Sequence, residues 1–358
     1  MDRNRKLFHL MPDDPQPLLP AFHPEKAVAE VELRAMALWP RIAGETGLPV
    51  QGARFSVMQV NTGRQDRVAV LGLRTVDERR FVLRADFSGE RAKSYRGHLD
   101  RHQDASRALQ GVPGVHVPDL IWRDAEHPFA LFAFVPGEKA SSELTFAEYG
   151  LTDRAELLRR IGAAVAALHG AEDMGVRLFW PKPRLEQIQA LGARLRAGDL
   201  RIRKPKKFLG LCAMLHRVGR EAKGRAYRAA PEHGDLHFRN ILVTQAQISF
   251  IDFSNAHATT PYCDIANLWL ANLPDHLALR PEDAGFGGVA RADWLAFESG
   301  YGEAVADNPV FRFLFLHRLL KAWLRLPPPE VPLGERDLAL LTGVERVFAW
   351  LQQIPPEG

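Results

Sequence analysis

The stretch His233-Gly-Asp-Leu-His-Phe-Arg-Asn240, followed by Ile251-Asp252-Phe253, decides how this 358-residue chain reads. It is short, β-like and rich in polar residues, within a region of otherwise helical pattern. Asp235 and Asn240 lie five residues apart, just before the apolar run Ile241-Leu242-Val243. Asp252 closes a second run, Ile248 to Ile251. Two short strands joined by a turn bring the start of the first beside the end of the second. Asn240 and Asp252 are therefore expected to share one end of a hairpin, where they could hold one metal ion, with Asp235 turned toward a second ligand.

Those residue types suit one chemistry. Moving a phosphoryl group from a nucleotide to an alcohol needs an in-line hydroxyl, a carboxylate to receive its proton, and a cation on the triphosphate. The cation is usually Mg²⁺, which takes oxygen ligands and keeps several waters. The competing reading of Asp235 and Asp252 is that both satisfy loop amides, as many loop aspartates do.

Working outward, residues 1–24 are proline-rich and read as an extended arm. Residues 25–46 read as helical, bent or broken at Pro40. From Ala53 the texture turns to strands: Phe55 to Val60, Val68 to Leu73, and Phe81-Val-Leu-Arg84, joined by polar turns. A helix over 97–110 ends at Gly111. Ile121-Trp122 and Phe129 to Val135 supply two more strands, completing an expected five-stranded antiparallel sheet with one helix. Beyond Gly137 the pattern predicts helices at 153–169, 184–197, 208–224, 262–273, 292–305, 309–325 and 335–353. The Phe311, Phe315, Leu319 and Trp323 stripe reads as core.

The order His233-Gly-Asp-Leu-His-x-x-Asn-Ile-Leu, then Ile-Asp-Phe, resembles the aminoglycoside phosphotransferase and choline kinase-like superfamily, whose fold is related to that of protein kinases. The resemblance implies an α+β bilobal fold with a small five-stranded antiparallel N-lobe and a larger, mostly helical C-lobe. It divides the chain into an arm and helix (1–50), a nucleotide-binding lobe (51–136) and a helical lobe with the catalytic loop and acceptor site (137–358). It makes Asp235 the catalytic base, Asn240 and Asp252 the metal ligands, and Asp264 a brace for the loop. Leu168-His169 and Gly300-Tyr301 match further signatures. Phe129 to Gly137 resembles a hinge, with Phe132 and Phe134 at the nucleotide. The co-substrate implied is ATP or GTP with Mg²⁺.

The sequence departs from that pattern in places. Phe81-Val-Leu-Arg84 has Arg where the family has Lys. Arg can bind phosphate oxygens bidentately, but the two are not interchangeable. Its expected acidic partner is Asp104, with Asp100 second, where the family has Glu. The phosphate turn Asn61-Thr-Gly-Arg-Gln-Asp66 holds one glycine. Thr62 and Gly63 could still offer amides to phosphate, and a plain hairpin turn is the competing reading. His237 matches the family, whereas Arg239 is bulkier than usual. His169 and His233 read as packing residues.

The formal charge is +4, which calls for no polyanion. Residues 194–228 nevertheless hold twelve Lys or Arg against two acids. Such a field favours an anionic small-molecule acceptor and disfavours a polycationic drug. A solvated basic face is the competing reading. Nucleic acid is not expected, because no aromatic platform interleaves the charges. Two cysteines make no disulfide framework and suit a reducing compartment. With no apolar run long enough to span a membrane, the expected location is cytoplasmic. Two rival functions remain open on sequence alone: a non-catalytic nucleotide-binding module, and nucleotidyl transfer on the same fold.

Overall fold

Pro40 does not end a helix but starts one. In the computed structural model, which describes residues 24–61, 67–88, 92–254, 259–271, 273, 277–278 and 280–353, helix α1 spans Pro24–Met36 and α2 spans Trp39–Thr46, with Pro40 in the first turn of α2. There its missing N–H costs no hydrogen bond. The chain divides into two compact units, residues 1–89 and 90–358.

The first unit carries α1, α2 and an antiparallel meander of β1 (Arg54–Asn61), β2 (Val68–Arg74) and β3 (Arg80–Asp86). Period-2 alternation buries Phe81, Leu83 and Ala85 on one face of β3 and leaves Val82 and Arg84 on the other, half-buried. In register, Arg84 lies opposite Val70 of β2.

The second unit begins with α3 (Ala92–Ala108), β4 (Val115–His116), β5 (Leu120–Arg123), β6 (Phe129–Ala133) and β7 (Glu138–Lys139). β5 and β6 pair antiparallel. All five strands expected from the sequence are thus present, three in the first unit and two in the second. Then follow α4 (Ala140–Glu148), α5 (Arg154–Gly170), β8 (Val176–Leu178), α6 (Lys182–Ala197), α7 (Pro205–Ala222) and β9 (Ala226–Arg228). The unit ends with β10 (Ile241–Val243), β11 (Ile248–Phe250), α8 (Tyr262–Leu270), α9 (Arg291–Tyr301), α10 (Pro309–Leu324) and α11 (Glu335–Gln353).

Two features of this unit position the site. The β10–β11 hairpin is flanked by β7 and, in parallel, by β4, giving a small sheet of order β4-β11-β10-β7. Helices α5 and α9 cross in close contact, because any side chain at Gly162 would meet the Phe297 backbone and any at Gly300 the Arg159 backbone. That approach brings His169, at the end of α5, within 3.1 Å of the Tyr301 hydroxyl at the end of α9.

Helix α10 is buried around most of its circumference, from Val310 to Trp323, and Asn308 caps its start by accepting from the Val310 amide. No helix among the described residues is long and apolar enough to cross a membrane. Both cysteines are free thiols, and burial pushes that of Cys212 up to about 11.

Candidate active site

The hairpin register does what the spacing suggested. Ile241 pairs with Phe250 and Val243 with Ile248. One step toward the open end, the Ile251 amide donates to the Asn240 carbonyl at 3.0 Å. Asp252 therefore emerges directly beside Asn240. Asp252 is exposed and sits in the left-handed region, φ 63°. A non-glycine residue held there is strained, and such strain collects at functional sites.

The 233–240 loop is anchored by alternate residues. Leu236 and Phe238 are fully buried, while Asp235 and His237 between and before them stay partly open. Phe238–Asn240 form a single 3₁₀ turn, and the Asn240 side-chain amide donates back to the Asp235 carbonyl at 3.0 Å. The carboxylate of Asp235 is 47% exposed, with His237 Nε2 3.7 Å away. Asn267 Nδ2 lies 3.5 Å from its other oxygen. Burial lowers the pKa of His237, with Arg239 adding to that and Asp235 opposing it.

The inner side of the loop is closed. Asp264, 1% exposed, accepts from the backbone amides of His233 (2.6 Å) and Gly234 (2.9 Å) and lies 3.2 Å from His169 Nε2. Gly234, at φ 87°, adopts a backbone that other residues resist. Burial alone would raise the pKa of Asp264. The His169 and His233 contacts outweigh it and hold the carboxyl below its usual range. His233 stacks on Phe253 with centroids 4.2 Å apart, and its Nε2 sits 3.0 Å from the Ile251 carbonyl. Burial pushes it down to about 4, so it is neutral near pH 7. His169 and His233 are thus the hydrogen-bonded core groups expected, and Asp264 is the brace.

Three supporting residues escaped the sequence. Arg101 of α3, buried, donates to the carbonyls of Glu232 (2.8 Å) and Pro231 (3.3 Å), fixing the chain just before His233. Asn267 donates to the Leu236 carbonyl at 2.9 Å and accepts from Arg318 of α10. Asn267 had a readable signal, since it lies one helical turn after Asp264 and so on the same face of α8. Arg101 and Arg318 had none, because their partners are remote in sequence.

The remaining expected residues fall as follows. Phe132 is half-buried on β6, its ring 4.9 Å from His102 of α3. Phe134 is half-buried just beyond the same strand. Asp104 is exposed on α3, 3.1 Å from Arg107, and Asp100 lies 2.5 Å from Arg123. Thr62 and Gly63 lie outside the described residues. Part of the basic run is engaged structurally. Arg203 donates to the carbonyls of Pro327 (3.1 Å) and Pro328 (3.0 Å), Arg201 pairs with Glu330 (2.8 Å), and Lys207 pairs with Glu345 of α11 (2.7 Å).

Among the described residues no group of three or more His, Cys, Asp or Glu is set to hold a metal. One carboxylate and one amide oxygen, from Asp252 and Asn240, do fit a hard cation that keeps waters and takes its other ligands from phosphate.

Comparison with known proteins gives the family and the fold. A family model described as "phosphotransferase enzyme family" matches residues 59–303. Among solved structures, a choline/ethanolamine kinase family protein from Mesorhizobium loti is 14% identical, covering 90% of this chain and 100% of its own, with a TM-score of 0.54. A type I macrolide 2'-phosphotransferase is 17% identical, covering 90% and 97%, with a TM-score of 0.51. An amicoumacin kinase in complex with AMP-PNP, Ca²⁺ and Ami is 16% identical, covering 89% and 95%, with a TM-score of 0.51. At these identities the likeness shows the fold, which is the bilobal α+β protein-kinase-like fold expected from the sequence. The curated proteins give no match. Because the family model runs through the meander, the hairpin and the Asp264 brace, the chain belongs to the phosphotransferase enzyme family.

Proposed function

We propose that the protein transfers the γ-phosphoryl group of ATP or GTP to a hydroxyl of a small molecule, with Asp235 as the base. The observation that carries this is the contrast across one loop: Asp264 beneath it is sealed, whereas Asp235 on it is half-exposed, backed by Asn267, and one short hairpin end away from Asn240 and Asp252.

Asp235 would orient the acceptor hydroxyl and receive its proton as the new O–P bond forms. The bond from the γ-phosphorus to the bridging oxygen breaks, and the nucleoside diphosphate leaves with the electron pair. Asn240 and Asp252 would hold Mg²⁺, which when bound draws negative charge off the triphosphate. Asn267 and the Asp264 brace keep the loop in one conformation, so little reorganisation is needed at the reacting carboxylate. Arg84 is assigned to the nucleotide phosphates, with Asp104 as its acidic partner, on the sequence pattern alone. The same holds for Thr62, Gly63, Phe132 and Phe134 at the nucleotide and for the lobe boundary at 136/137. The proposed setting is the cytoplasm.

The test is ATP consumption with Mg²⁺ across a panel of hydroxylated metabolites, with products read by mass. A phosphorylated acceptor and ADP support the reading. An adenylylated acceptor with pyrophosphate would make the chain a nucleotidyl transferase instead. Nucleotide-dependent stabilisation with no turnover on any acceptor would favour a binding module.

A further inference from the structure

The acceptor side of this site carries a patch of positive charge distinct from the basic run. Arg184 of α6 and Arg318 and Lys321 of α10 form no close ion pair among the described residues; Asp235 and Asp264 act on Arg318, and Glu232 on Arg184 and Lys321, only at longer range. His317, Arg318 and Lys321 make one narrow polar stripe on a helix whose other faces are buried. Arg184 adjoins that stripe through a ladder of rings. Its guanidinium lies 5.6 Å from the Phe179 ring centroid, Phe179 lies 5.5 Å from Phe313, and Phe313 stacks 6.2 Å from His317.

The patch borders the catalytic loop. Arg318 donates to Asn267, which reaches Leu236 and Asp235. Arg184 and Lys321 lie close enough to act on Glu232 and Cys263, the residues just before His233 and Asp264. All three cations also bear on His317, which burial and their charges push down to about 4. The imidazole is therefore neutral and offers a hydrogen bond without adding charge. Gathering three like charges costs free energy unless an anion joins them.

Resting on the phosphotransferase reading, we infer that the acceptor is an oxyanion-bearing alcohol, its phosphate or carboxylate held by Arg184 and Lys321 while its hydroxyl faces Asp235. The basic run at 201–207, already engaged with the 327–331 segment and α11, takes no part.

The experiment compares matched pairs as acceptors with ATP and Mg²⁺: glucose and glucose 6-phosphate, ribose and ribose 5-phosphate, 1,3-propanediol and 3-hydroxypropionate. An anionic member should exceed its neutral twin in kcat/KM by about tenfold or more, the worth of one charge-assisted contact. Which twin wins, phosphate or carboxylate, identifies the oxyanion. Lys321→Gln and Arg184→Gln should each raise KM for that acceptor about tenfold and move KM for ATP less than twofold. Preference for the neutral twins, or an anionic preference that both variants leave intact, overturns the inference.

A second arm needs no turnover. Inorganic phosphate and malonate are titrated into the nucleotide-free protein, and thermal stability is followed. Stabilisation lost in the Arg184→Gln/Lys321→Gln double variant supports the patch. No stabilisation, or equal stabilisation of the double variant, overturns it. Anion binding without ATP consumption on any acceptor would leave this patch standing and defeat the phosphotransferase reading. Turnover of neutral acceptors alone would do the reverse.

Discussion

Asp264 and Asp235 sit on opposite sides of one loop and do opposite things. Asp264 is sealed in, 1% exposed, with two backbone amides and His169 around it. The Asp235 side chain is 47% exposed, and among the described residues its carboxylate has Asn267 at 3.5 Å and His237 at 3.7 Å. The inner side is built to hold a shape, and the outer side is open, as the proposed reaction requires of its base. Residue type alone separates the two carboxylates less well than burial and partners do.

The comparison can be broken most forcefully from the inner side. Asp264→Ala leaves the His233 and Gly234 amides buried without an acceptor and removes the partner of His169. The loss should be about 3 kcal/mol or more, a fall in Tm of roughly 6–12 °C for a domain this size. Circular-dichroism melting checks it, and an unchanged Tm would mean the brace is not holding the loop.

Glu232 gives a pH-dependent effect with a definite sign. It is buried, accepts from the Thr260 amide at 2.8 Å, and faces Asp264, Cys263, Arg184 and Lys321. Burial, with Asp264 second, raises its pKa from 4.5 to about 8. The folded state therefore holds a proton that the unfolded state releases. The associated stability is complete below pH about 4.5 and lost as pH rises toward about 8. Glu232→Gln keeps the hydrogen bond and cannot ionise. Its stability relative to the native protein should grow from under about 1 kcal/mol at pH 5 to roughly 4 kcal/mol by pH 8, read from urea midpoints. A constant difference across that range would contradict the assignment.

Tyr301→Phe is the mildest case. It removes only the 3.1 Å contact to His169 and keeps the ring stacked on Phe297. The expected cost is about 1 kcal/mol in denaturant titration, with kcat nearly unchanged. A large kcat loss would show that the inner side reaches the chemistry.

Much of this was legible in the sequence. Alternation in Val68 to Leu73 and Phe81 to Arg84 gave the meander, and the long apolar periods gave α5 to α7 and α9 to α11. The five-residue gap from Asp235 to Asn240 and the two strands before Asp252 gave the hairpin end. What escaped has a physical reason. Strands β4 and β7 are two residues long, too short to show a period, and α4 follows Pro136-Gly137 with little apolar contrast. Arg101 and Arg318 act on groups that folding alone brings near. For the basic run, a ligand surface and a solvated face both stood open on sequence, because sequence shows charge density but not the carbonyls and carboxylates that engage Arg201, Arg203 and Lys207.

The most direct test of the central claim is Asp235→Asn, assayed for phosphoryl transfer to an identified acceptor alongside thermal stability and nucleotide binding. The expected outcome is kcat down by about 100-fold or more, Tm within roughly 2 °C of the native protein, and ATP-induced stabilisation retained. Transfer that continues undiminished would remove Asp235 from the chemistry and contradict the account.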